Sequence, residues 1–216
     1  SMVFGFVSGM PAAVSAAEVR DIVLPIHRDH VDEVYWSDTY GAPRSGGRSH
    51  IGVDMMGPKM VPLVAVADGT VTWMRHDSSR GNNLEITDAD GWSYHYVHIN
   101  NDTPGTDDGA NAFEYAFAPG IERGATVRAG QVVAYLGDSG NAEWTGSHLH
   151  FEISRPDGTP INPTASVDAA RVRLNGMPEI DPAVLTPYTS LDSALDDVLT
   201  TLTPIVRSQC MIDNAL

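Results

Sequence analysis

The chain has 216 residues, of which 42% are hydrophobic and 19% charged, so a wholly disordered protein is excluded. The formal net charge is −15 and basic residues do not cluster, which argues against nucleic acid as a partner. Cys210 is the only cysteine, so an intrachain disulfide is impossible. The sequence contains no apolar run of about 18 residues, so no membrane-spanning helix is predicted.

The N-terminal segment allows two interpretations. Residues 3–17 are apolar and small, and they end in an Ala-rich stretch typical of the end of a secretory leader. An ordinary N-terminal arm fits the same residues, so residues 1–19 are set apart as an arm or a leader remnant. Residues 20–45 show no clear period, and His27 and His30 are interpreted as surface residues.

Short alternating or apolar segments separated by glycine turns dominate the middle of the chain. Their spacing of about 8–12 residues is typical of antiparallel all-β structure. We therefore predict a mainly β fold, an antiparallel sheet or sandwich. The predicted strands are residues 49–55, 61–66, 70–74, 84–87, 92–99, 131–136 and 148–154, with a short one at Val127.

Two segments interrupt or follow this pattern. Residues 100–123 are polar and rich in glycine and aspartate, and we expect a surface excursion or groove wall with a short strand near 113–117. Residues 166–187 look irregular, whereas 190–202 carry one apolar stripe and predict an amphipathic helix. The expected organisation is a domain over 20–165, with its core at about 44–163, and a C-terminal helical extension over 166–216.

The segment 147–153 carries the clearest chemical signal. His148, His150 and Glu152 alternate with apolar residues, so a strand would project all three from one face. The segment 49–55 places His50 and Asp54 on one face in the same way. Two such strands can hold one cation, and His50, Asp54 and one of His148 or His150 supply the three ligands that a catalytic zinc ion needs.

Chance offers a plainer interpretation of each motif alone. A single His-x-His pair is more often a surface or packing feature than a metal site. Two ligand-bearing strands, each with an apolar opposite face, are far more specific. In the segment 92–99, His98 shares a face with Tyr94 and Tyr96 and could reach the same site, which would leave His95 on the opposite face.

The chain resembles the lysostaphin-like zinc endopeptidases, the LytM-domain family. The resemblance covers about residues 44–163 and is specific, because its blocks follow the family's order. Residues 55–60 are more apolar than usual, and Ser147 stands where a proline is frequent. The matching blocks are residues 48–54, 65–71, 96–99, 127–131, 137–141 and 147–153.

The resemblance implies a fold, a cofactor and a division of roles. It implies a LytM-type β core and one Zn²⁺ ion bound by His50, Asp54 and His150. His98 and His148 would be the catalytic pair that does not bind metal. The implied activity is zinc-dependent hydrolysis of peptide bonds in bacterial peptidoglycan stems or cross-bridges, with a peptidoglycan peptide as partner and an extracytoplasmic location.

Several expectations concern the surroundings of this site. Residues 80–83 and 100–123 would form groove walls, with Asn82 contacting substrate. Glu152 would orient a ligand or be a solvated carboxylate, and Arg48 would be structural or would contact a substrate carboxylate. Two alternative functions remain at this stage: a non-catalytic envelope scaffold or activator on the same domain, and a zinc protease for peptides outside the wall.

Overall fold

The computed structural model describes residues 18–176. The predicted leader remnant and the predicted helix at 190–202 lie outside the described residues, as does Cys210. Between residues 18 and 176, no helix combines the length and the apolar character needed to cross a bilayer.

The described part of the chain is mainly β, as the sequence predicts. Nine strands, two α-helices and three short 3-10 helices (Arg28–Glu33, Ser45–Gly47 and Gly140–Ala142) are present among residues 18–176, and the strands and α-helices are numbered. In chain order they are β1 (Val53–Met56), β2 (Pro62–Val64), β3 (Gly69–Asp77), β4 (Gly81–Thr87), β5 (Ser93–Ile99), α1 (Phe113–Ala116), β6 (Thr126–Val127), β7 (Val132–Tyr135), β8 (His148–Ser154), β9 (Pro160–Ile161) and α2 (Thr164–Gly176).

The main sheet is antiparallel and its strand order departs from chain order. Seven strands belong to it, in the order β1-β8-β5-β4-β3-β6, and β9 pairs with β8. A second, two-stranded sheet pairs β2 with β7. Because β8 lies between β1 and β5, three segments that are distant in sequence become neighbours at one end of the main sheet.

One face of the main sheet is the hydrophobic core. Phe151 on β8 lies opposite Val53 on β1 and Tyr96 on β5, and all three side chains are fully buried. The Tyr96 hydroxyl donates to the Val64 carbonyl at 2.8 Å, which ties the main sheet to the second sheet. Burying each such side chain contributes roughly 1.5–3 kcal/mol, so the core fixes which residues face away from it.

Three predictions of local structure were wrong. The segment near 113–117 forms the short helix α1, closed by a bond from the Phe117 amide to the Phe113 carbonyl. The strand predicted over 49–55 begins at Val53, because the backbone of His50 bonds to the 41–42 loop. The start of the segment predicted to be irregular belongs to α2, whose Val167 and Ala170 are buried in the core.

Candidate metal centre

The register of β1 and β8 brings three donor side chains together. Asp54 pairs directly with His150, and His50 lies just before β1. His50 Nε2 is 2.9 Å from His150 Nδ1 and 3.0 Å from Asp54 Oδ1, and His150 Nδ1 is 2.9 Å from the same Asp54 oxygen. The three atoms therefore form one small triangle.

Hydrogen bonds on the outer side of each ring fix where its proton lies. His50 Nδ1 is 2.9 Å from the Thr39 carbonyl, which can only accept, so the His50 proton is on Nδ1. His150 Nε2 is 2.9 Å from Glu152 Oε1. Burial raises the pKa of Glu152, but the bond from His150 outweighs it and the pKa lies below its ordinary value. Glu152 is thus an acceptor and His150 carries its proton on Nε2.

With both rings neutral, the triangle therefore consists of three electron-pair donors without a proton between them. Such atoms repel one another at this distance unless a cation or an added proton lies among them. In tetrahedral coordination with bonds of about 2.0–2.1 Å, neighbouring ligand atoms of zinc lie about 3.3 Å apart, close to what is seen here. Two imidazole nitrogens and one carboxylate oxygen are also a donor set that suits zinc.

The electrostatics of His150 agree with this attraction for a cation. Burial lowers the pKa of His150, but the hydrogen bonds with Asp54 and Glu152 outweigh it and raise the pKa above its ordinary value. Without a metal, the carboxylates therefore favour a second proton on His150. Metal binding must displace that proton, so metal affinity should depend on pH.

A chain of charged side chains extends outward from His150. Arg80 Nη2 lies 3.2 Å from Glu152 Oε1, and Arg80 Nη1 lies 3.3 Å from His95 Nδ1. His95 Nε2 is in turn 2.7 Å from Glu85 Oε2. The sheet register places His95 opposite Glu152, so the expectation that His95 lies on the face away from the site was wrong.

His98 reaches the groove by a departure from strand geometry. Tyr94 and Tyr96, which the alternation groups with His98, are fully buried in the core. His98 has a φ of 63°, and the pairing of β4 with β5 shifts register between Asn82 and Leu84. These two irregularities turn the ring toward His148, with 4.9 Å between ring centroids. A non-glycine residue at positive φ is uncommon and often marks a functional site.

The two groove histidines are oriented in the same manner. His98 Nδ1 donates to the Ser139 carbonyl at 2.8 Å, and His148 Nδ1 donates to the Gly146 carbonyl at 2.8 Å. Each neutral ring therefore keeps Nε2 as an acceptor. Burial lowers the pKa of His98 to about 4, so His98 is neutral near pH 7. His148 Nε2 lies 4.0 Å from Asp54 Oδ1.

These side chains lie in one groove of about 760 Å³. Its walls come from three segments, around 44–51, 79–80 and 141–146. The expectation that residues 100–123 form a wall was therefore wrong, and only Arg80 of the predicted 80–83 wall lines the groove. Arg48 is exposed at the rim, and Arg44, which sequence reasoning missed, contacts Asp54 Oδ2 at 2.5 Å.

Asn82 lies beneath the groove wall. Its side chain is buried, and its amide nitrogen donates to the Asn100 carbonyl and to Asn111 Oδ1. Its amide oxygen is 3.0 Å from His76 Nδ1. The geometry therefore gives Asn82 a part in holding loops together and does not support the expected substrate contact.

Gly52 leaves room for a ligand. A β-carbon at this position would lie 2.6 Å from the Phe151 carbonyl oxygen and 2.8 Å from His150 Cε1. Contacts below about 3 Å are overpacked, so a side chain here would displace His150. The space left by the missing side chain is occupied by the His150 ring.

Comparison with known proteins identifies the family. Residues 48–163, more than half of the chain, match the model of peptidase family M23. The chain belongs to peptidase family M23. The resemblance to LytM-domain peptidases drawn from the sequence blocks is thereby confirmed.

Relatives of this M23 peptidase include two curated endopeptidases. The DD-carboxypeptidase/endopeptidase Mpg of Neisseria meningitidis is 32% identical over 118 residues, which are 55% of this chain and 23% of that protein. The L-Ala--D-Glu endopeptidase of Bacillus subtilis is 26% identical over 140 residues, 62% of this chain and 38% of that protein. The chain thus matches well under half the length of either relative.

A solved structure supports the fold of the M23 peptidase. The putative glycyl-glycine endopeptidase lytM from Ruminococcus gnavus superposes with a TM-score of 0.56 at 27% identity. The match covers 70% of this chain and 61% of that one. The antiparallel LytM-type core is therefore shared between the two proteins.

Proposed function

We propose that this M23 peptidase is a zinc-dependent endopeptidase that hydrolyses peptide bonds in the stems or cross-bridges of bacterial peptidoglycan. The observation that carries the proposal is the triangle of acceptor atoms from His50, Asp54 and His150, with separations of 2.9–3.0 Å. A metal cation bound by two neutral imidazoles and the carboxylate would relieve the repulsion among these atoms, and the donor set favours zinc.

The residues around the triangle complete the requirements of a hydrolase. Zinc held there supplies Lewis acidity, which polarises a peptide carbonyl and lowers the pKa of a water to about 7. The single carboxylate among the ligands leaves a net positive site, which preserves that acidity.

His98 and His148 are the proposed proton-transfer pair. Both present Nε2 to the groove as an acceptor, since Nδ1 of each is held by a backbone carbonyl. Such a nitrogen can take a proton from the attacking water and return it to the leaving amine or to the developing oxyanion. The described residues put no carboxylate in the groove except Asp54 and Glu152, both already engaged with His150, so histidine is the available base.

The relatives support the proposed substrate class. The names of both curated endopeptidases describe peptide bonds that involve D-amino acids or carboxypeptidase action on them. Peptides of this kind occur in peptidoglycan, and the proposed substrate implies an extracytoplasmic site of action. The strongly negative net charge agrees with a partner other than nucleic acid.

Digestion of defined wall fragments tests the proposal. The zinc-loaded protein is incubated with cross-linked muropeptides, uncross-linked stem peptides and pentaglycine, and products are separated and weighed by mass spectrometry. We expect new fragments from at least one substrate, their loss on chelation and their return with added zinc. The zinc-loaded His148→Ala variant is the inactive control. Absence of cleavage in a preparation that holds stoichiometric zinc would refute the proposal.

A further inference from the structure

A second group of ionisable residues lies outside the catalytic groove, around the only lysine of the chain. Lys59 Nζ contacts Asp102 at 2.6 Å, Asp107 at 2.7 Å and Asp138 at 2.9 Å. Glu143 joins the group, because one oxygen each of Asp102, Asp107 and Glu143 lie within 4.8 Å of one another. We call Asp102, Asp107, Asp138 and Glu143 the acidic cluster.

The charge of the acidic cluster is only partly balanced by Lys59. The ammonium group contacts three of the four carboxylates, so the fully ionised cluster keeps three excess negative charges at a partly buried position. The side chains of Asp102 and Asp138 are only 2% and 5% exposed, so water screens them poorly. Burial, together with the charges of Asp102 and Glu143, outweighs Lys59 and raises the pKa of Asp138.

Two buried oxygens beside these carboxylates lack a hydrogen-bond partner within residues 18–176. Asn101 is 7% exposed; its Nδ2 points at Glu143 Oε2 at 3.1 Å, while its Oδ1 accepts nothing. Asp138 is 4% exposed, and its Oδ1 is unpartnered as well. An unsatisfied buried acceptor costs roughly 1–3 kcal/mol, and a bound cation would remove that cost.

The donors and their spacing indicate which cation fits. All of them are oxygens, which suits hard ions and not zinc. Two ligand oxygens on opposite sides of Ca²⁺ lie about 4.6–5.2 Å apart, whereas for Mg²⁺ the limit is about 4.2 Å. Donor oxygens that all lie within 4.8 Å of one another fit inside the coordination shell of one Ca²⁺ ion. The irregular loop of residues 100–112 also suits the flexible coordination of calcium.

We propose that Asp102, Asp107 and Glu143 bind one calcium ion, with Asn101 and Asp138 supplying further oxygens. Lys59 competes with the ion for the same carboxylates. The site is separate from the zinc centre in position and in donor chemistry, and it does not depend on the proposed peptidase activity.

The calcium site would support the catalytic groove from behind. Asp138 directly precedes Ser139, whose carbonyl accepts the His98 proton at 2.8 Å. Glu143 follows Ala142, which lines the groove. An ion shared by Asp102 and Glu143 would fasten the 100–112 loop to residues 138–143 and so hold the acceptor that orients His98.

Calorimetric titration of the zinc-loaded full chain with Ca²⁺ tests this proposal. We expect one-to-one binding with a Kd below about 1 mM, the range of extracellular calcium modules. Glu143→Gln, which keeps the shape and removes one charge, should weaken binding at least about tenfold. Glu122→Gln removes the same charge from an exposed residue outside the cluster and should bind like the wild type.

Thermal unfolding of the same three proteins provides the second measurement. Calcium should raise the Tm of the wild type and of Glu122→Gln but not that of Glu143→Gln. An equal rise in all three would indicate a general ionic effect and overturn the proposal, as would unchanged calorimetric affinity in Glu143→Gln.

Lys59→Met removes the competing ammonium and should bind calcium more tightly. No calcium site exists if neither the wild type nor Lys59→Met shows saturable calcium binding at concentrations up to about 10 mM. That concentration is well above the Kd of extracellular calcium modules.

Because these readouts measure binding and stability, they are independent of substrate cleavage. A protein that binds calcium but cuts no wall fragment would refute the peptidase proposal alone. A protein that cuts but binds no calcium would refute the calcium proposal alone.

Discussion

The proposed zinc centre and the acidic cluster are two proposed cation sites built on different kinds of backbone. In the first, Asp54 and His150 are paired across adjacent strands, and the donor atoms lie 2.9–3.0 Å apart. In the second, the acidic side chains come from irregular segments, and oxygens of three of them lie within 4.8 Å of one another. Strand register holds donors at a spacing that suits a small ion with strict geometry, whereas loops suit a larger ion with flexible coordination.

Alanine substitution of the two histidines on β8 should give the largest effect. His150→Ala removes a proposed ligand and should abolish both stoichiometric zinc binding and cleavage. His148→Ala should keep zinc and lower kcat about 10²–10⁴-fold, the usual contribution of proton transfer. Elemental analysis and steady-state kinetics measure the two effects. Equal zinc loss in both variants would contradict this division of roles, and unchanged calcium binding in both would keep the two sites separate.

Removal of the partner of His150 should give the next largest effect. Glu152→Gln weakens the acceptor that fixes the His150 proton on Nε2, and such outer partners are typically worth about 10–100-fold in metal affinity. Arg80→Ala, one bond further out, should cause a smaller loss. Competition with a chromophoric chelator measures both zinc affinities. Unaltered zinc affinity in Glu152→Gln would show that β1 and β8 alone hold the ligand geometry.

Steric crowding at Gly52 tests how rigid the strand-built site is. Gly52→Ala would place a methyl group 2.6 Å from the Phe151 carbonyl oxygen, which cannot move aside within the sheet. We expect a loss of about 3 kcal/mol in unfolding free energy, at the upper end for overpacking, and weaker zinc binding. Gly146→Ala is the matched control, because its new methyl group would meet only the flexible end of Met56. Chemical denaturation of both variants measures the two losses in unfolding free energy. Equal losses in Gly52→Ala and Gly146→Ala would contradict the steric explanation.

The smallest expected effect is a pH dependence of the metal-free protein. The pKa of His98 is about 4 in the folded state, against an ordinary 6.5. As the pH falls below 6.5, His98 takes up a proton in the unfolded chain but stays neutral in the folded one. The free energy of unfolding therefore decreases down to about pH 4. Between pH 7 and 5 the loss should be on the order of 1–2 kcal/mol.

His98→Asn isolates this contribution, since asparagine tolerates the positive φ of this position. The raised pKa of His150 acts in the opposite direction, but it is present in both proteins. Denaturation midpoints at several pH values should therefore fall more steeply in the wild type. Parallel curves would show that His98 is not responsible.

The sequence alone predicted the mainly β fold, the core faces of β1 and β8, and a cation site at His50, Asp54 and one of His148 or His150, and the family resemblance assigned His150. It could do so because alternation along a strand is a local property: Leu149, Phe151 and Ile153 must be buried, so His148 and His150 must face the other way. The side chains of the candidate metal centre could therefore be recognised from the local sequence pattern. The roles of zinc ligand and proton carrier remain proposals.

Tertiary structure decided what depends on neighbours distant in the chain. His98 reaches the groove only through a positive φ and a register shift between β4 and β5, which no period in the sequence reveals. The chain from Glu152 through Arg80 to His95 depends on the pairing of β4, β5 and β8. The acidic cluster requires the 100–112 loop to meet residues 138–143. Loop contacts and strand irregularities depend on packing between segments that are distant in the chain, whereas the two faces of a strand are set by local stereochemistry. For this reason only the strand faces could be predicted from the sequence.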